Sequence, residues 1–335
     1  MRLSAICLVL AVGCGAPSNN GDDAPPADAA PDAPGPGCWG LSPRSTPAEA
    51  FVAPMGVQNR MTALIDGAQQ TLDVQMYLFT VTALADRIIA AKNRGVAVRV
   101  LLDPDHEGNA NVRSKLMAAN VPTRNAPGLY SFAHAKYLLI DGKAAVIMSM
   151  NFNVDAMSSE RNYGMITRDP DDLTDIKAIF DMDWAGGGGE PPKPADLACT
   201  RLIVSPNNAK QRIVDFIKSA KTKLDVEAMY VADDGVRAAI LDAKKRGVDV
   251  RVILETSSDN AEVKALFMAN GITVKGAGSF YLHAKLLIAD GVAFVGSVNF
   301  SITALTKNRE LGAFVFEPGP AAVIQQQFDA DWAAN

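Results

Sequence analysis

The chain places two of its three histidines in the same triplet, His-Ala-Lys. In each copy an apolar run, an Asp-Gly pair, a second apolar run and a Ser-x-Asn triplet follow. Alternate side chains of a strand share a face, so imidazole and ammonium should point the same way, with hydroxyl and carboxamide beside them on the next strand. These side chains are His134, Lys136, Ser149 and Asn151 in the first copy, and His283, Lys285, Ser297 and Asn299 in the second.

This set of groups suits the chemistry of a phosphodiester. Lysines and asparagines can hold the non-bridging oxygens and stabilise charge at a five-coordinate phosphorus. One neutral imidazole can attack phosphorus, while the other, protonated, donates to the leaving oxygen. Water then hydrolyses the phosphohistidine, with the second histidine acting as base. The scheme requires no metal and no cofactor.

The motifs belong to a duplication of the whole chain. Segments repeat in order at nearly constant spacing, which predicts two copies of one domain. A Gly- and Pro-rich linker, 185–196, separates them. The matching segments are 72–77 and 224–230, 93–103 and 245–255, 115–123 and 265–273, and 180–185 and 328–333.

The residue pattern of each copy predicts a mixed α/β fold. Helical spacing in 61–68 and 83–93 alternates with apolar runs typical of strands covered by helices on both faces. Asp141-Gly142 and Asp290-Gly291 predict hairpins between apolar runs. The closing helices contain Trp184 and Trp332, which we interpret as core residues. Two copies related by a pseudo-two-fold axis would bring the two histidine patches together across one cleft.

The charge balance argues against a dedicated nucleic-acid binder. The net charge is −5, and the first 37 residues hold four aspartates against one arginine, so the remainder is close to neutral. A strong basic excess, the usual mark of such binders, is therefore missing.

The N-terminus has the pattern of an export signal. Arg2 precedes a short apolar run that is too short to span a bilayer as a helix. Residues 11–14 resemble a bacterial lipobox with Cys14 as the lipidated residue. We therefore expect a signal segment at 1–14, a disordered Pro/Ala/Asp-rich tether at 15–37, and lobes at 38–184 and 197–335. The predicted location is the bacterial cell envelope as an anchored lipoprotein, or the periplasm or medium if the signal is simply cleaved.

Two further cysteines remain after this segment. Cys38 and Cys199 fall near the start of each copy, and an exported pair suggests a disulfide.

The quoted motifs, HAKYLLID…SMN and HAKLLIAD…GSVN, resemble the paired HxKxxxxD…GSxN signatures of the phospholipase D superfamily. The resemblance covers essentially residues 40–335. It implies two α/β/α lobes with a single active site at their interface, and hence activity as a monomer. It also implies that His134 is the nucleophile, that His283 is the general acid and base, and that the motif lysines and asparagines bind phosphate. Asp141 and Asp290 match the motif aspartate, which we interpret as structural.

The sequence departs from the family pattern at two informative places. Met148 stands where the first copy would have glycine, which predicts a backbone less close to substrate. The family also has a carboxylate after Ser-x-Asn that hydrogen-bonds a catalytic histidine. Glu310 fits this position, but its counterpart is Asn162, with Glu160 two residues earlier. Either Glu160 substitutes or one histidine has a neutral partner.

Several functions fit these residues. The first is hydrolysis or transphosphatidylation of membrane phospholipids. A metal-independent nuclease is the alternative, with Lys307, Arg309 and Arg161 as contacts to a nucleic-acid backbone. A transfer like that of cardiolipin synthases ranks third, because those relatives usually carry transmembrane helices. A catalytically silent lipid- or anion-binding lipoprotein is supported only by Met148 and Asn162.

Other side chains near the motifs have open roles. Aromatic residues precede each histidine and line the pocket mouth or pack beside the sheet. Asp103 and Glu255 end equivalent strands and are read as helix-cap or rim residues, and His106 as a solvated loop residue. The aromatic residues are Tyr130, Phe132, Phe280 and Tyr281.

Overall fold

The structure is a computed structural model that describes residues 43–335. The predicted signal segment, the lipidation site Cys14, the tether and Cys38 lie outside these residues. Cys199 is disulfide-bonded. Its predicted pairing with Cys38 stays a prediction.

The first lobe alternates strands and helices. Helices α1 and α2 bury Met61, Ile65 and Ile88 against the sheet, as their apolar spacing predicts. In chain order the elements are β1 (Glu49–Ala53), α1 (Val57–Gly67), β2 (Thr71–Met76), α2 (Thr82–Asn93), β3 (Ala97–Leu102), α3 (Ala110–Ala118), β4 (Thr123–Asn125), β5 (Tyr137–Ile140), β6 (Ala144–Met148), α4 (Val154–Ser158), β7 (Glu160–Thr167) and α5 (Pro170–Gly187).

The second lobe repeats this plan. Its one addition is the two-residue strand β12 just before the second histidine motif. The elements are β8 (Leu202–Ser205), α6 (Ala209–Ser219), β9 (Lys223–Ala228), α7 (Asp234–Lys245), β10 (Asp249–Glu255), α8 (Ala261–Ala269), β11 (Thr273–Ala277), β12 (Tyr281–Leu282), β13 (Lys285–Ala289), β14 (Val292–Gly296), α9 (Ile302–Thr306), β15 (Glu310–Val315) and α10 (Pro318–Ala334).

The two sheets have the same strand order. It is β1-β7-β6-β5-β2-β3-β4 in the first lobe and β8-β15-β14-β13-β9-β10-β11 in the second. Three neighbours in each sheet run parallel and are joined by helices, and the others are antiparallel. The predicted α/β class and the internal repeat are therefore confirmed.

The lobes pack through a core to which both contribute. The outer face of each sheet packs on its own helices, whereas the inner faces share one apolar cluster that includes Tyr137, Phe180, Leu286 and Phe328. Trp184 and Trp332 pack against this cluster. The two sheets and the closing helices α5 and α10 thus form one continuous interior at the interface.

Short backbone pairings cross between the lobes. Strand β12 pairs in parallel with β7, so that Tyr281 lies opposite Glu160. In the equivalent place a bridge joins Ala133 to Arg309. Each crossing ends at the residue immediately before a motif histidine, Ala133 or Leu282. The segment that leads into each histidine is therefore aligned by the opposite lobe.

Seven strands were not predicted from the sequence: β1, β4 and β7 in the first lobe, and β8, β11, β12 and β15 in the second. Strands β7 and β15 follow the Ser-x-Asn triplets, and β1 and β8 pair with them at the sheet edge. Their partners are distant in sequence, so no local turn signal announces them.

Helix α5 extends into the predicted linker and ends at Gly187. A Cβ at Gly187 would lie 2.2 Å from the carbonyl oxygen of Asn125. The glycine is needed for close packing of the helix end, so it was a misleading linker signal at this position.

No helix in residues 43–335 combines the length and the apolar character needed to cross a bilayer.

Candidate active site

Both motif histidines lie at the interface, immediately before the first strand of each hairpin. His134 and His283 are each 9% exposed. Lys136 and Lys285 are buried, and each ammonium donates a hydrogen bond to the carbonyl oxygen of the histidine two residues earlier. The two lobes therefore present the same His-Lys arrangement to one site.

Carboxylates at equivalent strand ends hold the backbone beside each histidine. Asp103 Oδ2 accepts from the amide of Ala133 at 2.7 Å, and Glu255 accepts from the amide of Leu282. Asp103 also caps the following turn through the amides of Asp105 and His106. The capping role was predicted, but the contact with the histidine segment was not.

Glu310 binds His134 across the lobe interface. Its Oε1 and Oε2 lie 3.0 and 2.9 Å from Nδ1 of His134, and the carboxylate is fully buried. Since a carboxylate accepts, Nδ1 carries the proton, and Nε2 of the neutral ring keeps its lone pair. This orientation leaves Nε2 free to act on a ligand.

His283 has a carboxamide partner from the first lobe. Its Nδ1 lies 3.0 Å from Oδ1 of Asn162. The amide of Asn162 donates to Glu160 Oε2 at 3.2 Å, and Ser149 donates to Asn162 Oδ1 at 2.7 Å. These two contacts fix the amide, so its oxygen faces the imidazole. Glu160 itself is 3.8 Å from His283 Nδ1.

Aromatic packing orients the first histidine. The rings of Tyr77 and His134 are 4.6 Å apart, and Lys136 Nζ lies 4.9 Å from the centre of the Tyr77 ring. His106 contacts the same tyrosine at 4.8 Å. His106 lies in a loop, as predicted, but it is half-buried and packs on Tyr77 rather than being fully solvated.

Burial and mutual repulsion shift the titration of the basic groups. Burial lowers the pKa of His134 to about 4, although Glu310 opposes this shift. Burial, followed by the neighbouring lysines, lowers the pKa of His283 well below its usual value. Burial also lowers the pKa of Lys136 strongly and that of Lys285 to about 7. Placing these cations together in a buried site is unfavourable until an anion binds.

The two asparagines of the Ser-x-Asn triplets lie just beyond the strands. Strands β6 and β14 end at Met148 and Gly296, so the predicted strand positions of the triplets were wrong. Asn151 and Asn299 are nearly buried, and within residues 43–335 their Oδ1 atoms have no hydrogen-bond partner. A buried amide of this kind is available to a ligand, with its Oδ1 as an acceptor and its Nδ2 as the donor that a phosphate oxygen requires.

The serines of these triplets brace the strand that follows. Ser149 Oγ accepts from the amide of Tyr163, and Ser297 Oγ accepts from the amide of Leu311, both at 3.1 Å. Both serines are buried. The two serines therefore hold β7 and β15 in place beside the site.

Asp141 and Asp290 lie at the hairpin turns, where both have positive φ. Asp141 accepts from the amides of Gln70 and Thr71, and Asp290 from those of Thr222 and Lys223. Each aspartate therefore ties its hairpin to the start of the adjacent strand.

Met148 faces the core, away from the histidines. A Cβ at Gly296, the equivalent position, would lie 2.3 Å from Cα of Gly312 on β15. Close strand packing therefore accounts for the second-lobe glycine, and the expectation that Met148 keeps the backbone farther from substrate stays a prediction.

The aromatic residues before the motifs divide into two kinds. Phe132 and Tyr281 are 43% and 44% exposed, next to the segments that enter the site. Tyr130 and Phe280 pack under the guanidinium groups of Arg309 and Arg161, at 4.4 and 4.9 Å. Phe132 and Tyr281 are thus available at the surface, whereas Tyr130 and Phe280 have a structural role.

Arg161 and Arg309 form crossed ion pairs between the lobes. Arg309 is 1% exposed and donates to Asp183 on α5 at 2.9 Å. Arg161 donates to Asp331 on α10 at 2.7 Å. Both were candidate contacts for a nucleic acid. Their partners commit them to the lobe interface, so that expectation was wrong.

Comparison with known families agrees with this fold and these motifs. Residues 61–184 and 213–332 each match a domain family described as "Cardiolipin synthase, PLD-like domain". The chain belongs to the phospholipase D superfamily.

Curated relatives are similar over most of this chain. It is 24% identical to a cardiolipin synthase of Clostridium perfringens (strain SM101), over 80% of this chain and 66% of that protein. It is 27% identical to cardiolipin synthase A of Proteus mirabilis, over 76% of this chain and 62% of that protein. The chain therefore spans slightly less than two thirds of the length of these relatives.

Solved structures show the same fold. Phosphatidylserine synthase of Haemophilus influenzae is 13% identical with a TM-score of 0.65, and 87% of each chain is covered. Polyphosphate kinase of Porphyromonas gingivalis is 16% identical with a TM-score of 0.64, over 85% of this chain and 50% of that one.

Proposed function

We propose that this protein cleaves the phosphodiester of a membrane phospholipid through a phosphohistidine, and passes the phosphatidyl group to water or to an alcohol. The observation that carries this proposal is the buried facing pair of His-Lys motifs. Two lysines and two histidines share one interface site with the carboxylate of Glu310. A phosphodiester anion would offset their positive charge and keep both ammonium groups protonated.

In the first step, Nε2 of His134 attacks phosphorus, and the bond from phosphorus to the head-group oxygen breaks. His283, protonated, gives its proton to that oxygen. The phosphorylated ring of His134 carries a positive charge and keeps its proton on Nδ1. Glu310 accepts from that proton and stabilises the charge, which favours His134 as the nucleophile.

In the second step, the oxygen of water or an alcohol attacks phosphorus from the side that the head group has left. His283, now neutral, takes the proton of this acceptor, and the bond between phosphorus and Nε2 breaks. Both histidines return to their starting states. Lys136, Lys285, Asn151 and Asn299 hold the non-bridging oxygens throughout.

Exposed apolar side chains favour a lipid over a nucleic acid. Val154 and Ile302 occupy equivalent positions, three residues beyond Asn151 and Asn299, and are 67% and 50% exposed. These two residues and the two exposed aromatic residues follow or precede the motif residues closely in sequence, and we propose that the four act as an apolar rim of the site: Phe132, Val154, Tyr281 and Ile302. Such side chains suit contact with acyl chains.

Two competing functions lose support. The nuclease alternative had three basic residues as possible contacts to a nucleic-acid backbone, and two of them, Arg161 and Arg309, are taken up by interlobe ion pairs. The silent binding protein relied on Met148, which core packing explains, and on Asn162, which contacts His283. Transfer to an alcohol gains weight, because the curated relatives are named cardiolipin synthases.

One chain supplies both halves of the site, so we propose that the protein acts as a monomer. The export pattern of the N-terminus agrees with a substrate in an envelope membrane, and we propose a lipoprotein anchored there.

The test is to incubate the protein, with EDTA present, with vesicles of phosphatidylglycerol and phosphatidylcholine. Parallel reactions contain plasmid and single-stranded DNA. Phosphatidic acid reports hydrolysis, diphosphatidylglycerol reports transfer, and free choline or glycerol is released in both reactions. His134→Ala and His283→Ala should abolish both, whereas Lys143→Ala, an exposed turn residue, should not.

Cleavage of DNA alone would reverse the ranking in favour of the nuclease. Absence of turnover on every substrate, with the protein folded by circular dichroism, would refute the enzymatic proposal and favour the binding protein.

A further inference from the structure

The lobes carry the same pair of residue types in opposite order beside the two histidines. The first lobe has Glu160-Arg161-Asn162, and the second has Asn308-Arg309-Glu310. In both, the asparagine side chain donates to the glutamate: Asn162 to Glu160 at 3.2 Å and Asn308 to Glu310 at 2.9 Å. A glutamate and an asparagine have therefore exchanged places within an otherwise equivalent pair.

The exchange changes which group touches each histidine. His134 receives the carboxylate directly from Glu310, with Asn308 behind it. His283 receives the carboxamide oxygen of Asn162, and the carboxylate of Glu160 stands behind the amide. The four side chains are nearly or fully buried, so water does not equalise the two environments.

We propose that this transposition makes the two histidines unequal in basicity, with His283 the weaker base, and that Glu160 acts on His283 as a positioning residue through Asn162. A directly bonded carboxylate stabilises an imidazolium, whereas a carboxamide oxygen only orients the ring. This inference deepens the proposed function, on which it rests for the catalytic roles.

The other charged groups around the two rings agree with a lower basicity of His283. His283 faces Lys285 on its own strand, and Lys136 and His134 from the first lobe, all of which disfavour its protonation. Glu160, at 3.8 Å, is the carboxylate nearest to it among the described contacts.

The ring of His134 faces the same two lysines. It also has Glu310 in direct contact, which raises its pKa against the effect of burial. The difference between the histidines therefore comes from the transposed pair.

The chemical consequence is a division of labour. The histidine with the carboxylate tolerates the positive charge of a covalent intermediate. The histidine with the carboxamide is the stronger acid once protonated and releases its proton readily to a leaving oxygen. The transposition therefore assigns the nucleophile and the acid without a difference in the histidine motifs themselves.

The experiment is an NMR titration of the intact protein labelled with carbon-13 at histidine. Only three histidines are present, and His106→Gln, His134→Gln and His283→Gln variants assign their signals. In the wild type we expect His283 to titrate at lower pH than His134. The double variant Glu160→Asn/Asn162→Glu gives the first lobe the order of the second.

This double variant should raise the titration midpoint of His283 by about one pH unit or more and leave that of His134 nearly unchanged. Asn162→Asp, which conserves shape, should act in the same direction if the double variant does not fold. Glu160→Gln, which removes only the charge behind the amide, should lower the midpoint of His283.

The proposal is overturned if His283 titrates at or above the pH of His134 in the wild type. It is also overturned if neither the double variant nor Asn162→Asp moves the midpoint of His283. A Glu160→Gln variant without effect would refute the role of Glu160. The titration requires no turnover, so absence of phospholipid cleavage beside unequal histidines would refute the proposed function alone.

Discussion

Nδ1 of His134 lies 2.9 Å from Oε2 of Glu310, and the two residues belong to different lobes. Neither lobe alone therefore contains a histidine with its own carboxylate. Replacing Glu310 with glutamine keeps the shape of the side chain but removes its charge, so the cationic intermediate on His134 loses its partner.

We expect Glu310→Gln to reduce kcat by about 10²–10⁴ with little change in KM, by analogy with other imidazole–carboxylate pairs. Head-group release from phosphatidylglycerol vesicles measures the effect. Glu262→Gln, an exposed helix residue, is the matched control. A Glu310→Gln variant whose kcat is within a factor of three of the wild-type value would contradict the role assigned to this carboxylate.

The charge of Lys285 should make anion binding depend on pH. Its pKa is lowered to about 7 by burial, so the ammonium is charged below this pH and neutral above it. We expect the affinity for sulfate, whose charge is constant over this range, to fall about tenfold or more between pH 6 and pH 9. Calorimetry at constant ionic strength measures it.

Lys285→Ala should bind sulfate weakly and with a flatter pH profile, whereas Lys143→Ala should follow the wild type. An affinity for sulfate that rises with pH would be inconsistent with this site.

The apolar rim should matter for vesicles but not for soluble substrates. If Val154 and Ile302 contact acyl chains, each contributes about 1.5–3 kcal/mol to the free energy of membrane binding at full burial. We expect Val154→Ser/Ile302→Ser to lower activity on vesicles at least roughly tenfold, and to leave cleavage of a short-chain, monomeric phospholipid near the wild-type rate.

Met117→Ser is the control for this variant, because Met117 is an apolar residue that is 57% exposed near the C-terminal end of α3, outside the proposed rim. Equal losses on vesicles and on the soluble lipid would mean that the rim residues support the fold of the site and do not contact membrane.

Breaking a crossed ion pair should destabilise the whole chain. Asp183→Asn leaves the buried guanidinium of Arg309 without its charged partner. The expected loss in the free energy of unfolding is about 3–5 kcal/mol. Urea denaturation followed by tryptophan fluorescence measures it.

Lys177→Ala removes an exposed ion pair on the same helix, with Asp181, and should cost about 1 kcal/mol or less. Similar losses for the two variants would show that the interlobe pair is not energetically distinct.

The sequence predicted the parts of the structure that repeat. Two copies of the His-Ala-Lys block, each followed by an Asp-Gly hairpin, sufficed to predict the α/β lobes and the candidate histidines and lysines. The edge strands β1 and β8, and their neighbours β7 and β15, were not predicted, because β1 pairs with β7 and β8 with β15 across long stretches of the chain.

Contacts between the lobes could not be predicted, because they depend on how the two copies are placed. Glu310 was a candidate partner for one of the histidines, but the sequence did not say which. Arg161 and Arg309 resembled surface cations and are instead interface residues. The sequence shows the order of Glu160 and Asn162. Only the side-chain contacts show that Asn308 and Glu310 are the equivalent pair in the opposite order.

The backbone crossings between the lobes also constrain how such a protein can evolve. Because each copy aligns the histidine of the other, an ancestral single copy could build this site only by pairing with a second molecule. Once both copies were joined in one chain, they were free to differ. The exchanged glutamate and asparagine are a change that identical subunits cannot acquire on one side only. Fusion therefore opened a route to asymmetry that a symmetric dimer does not have.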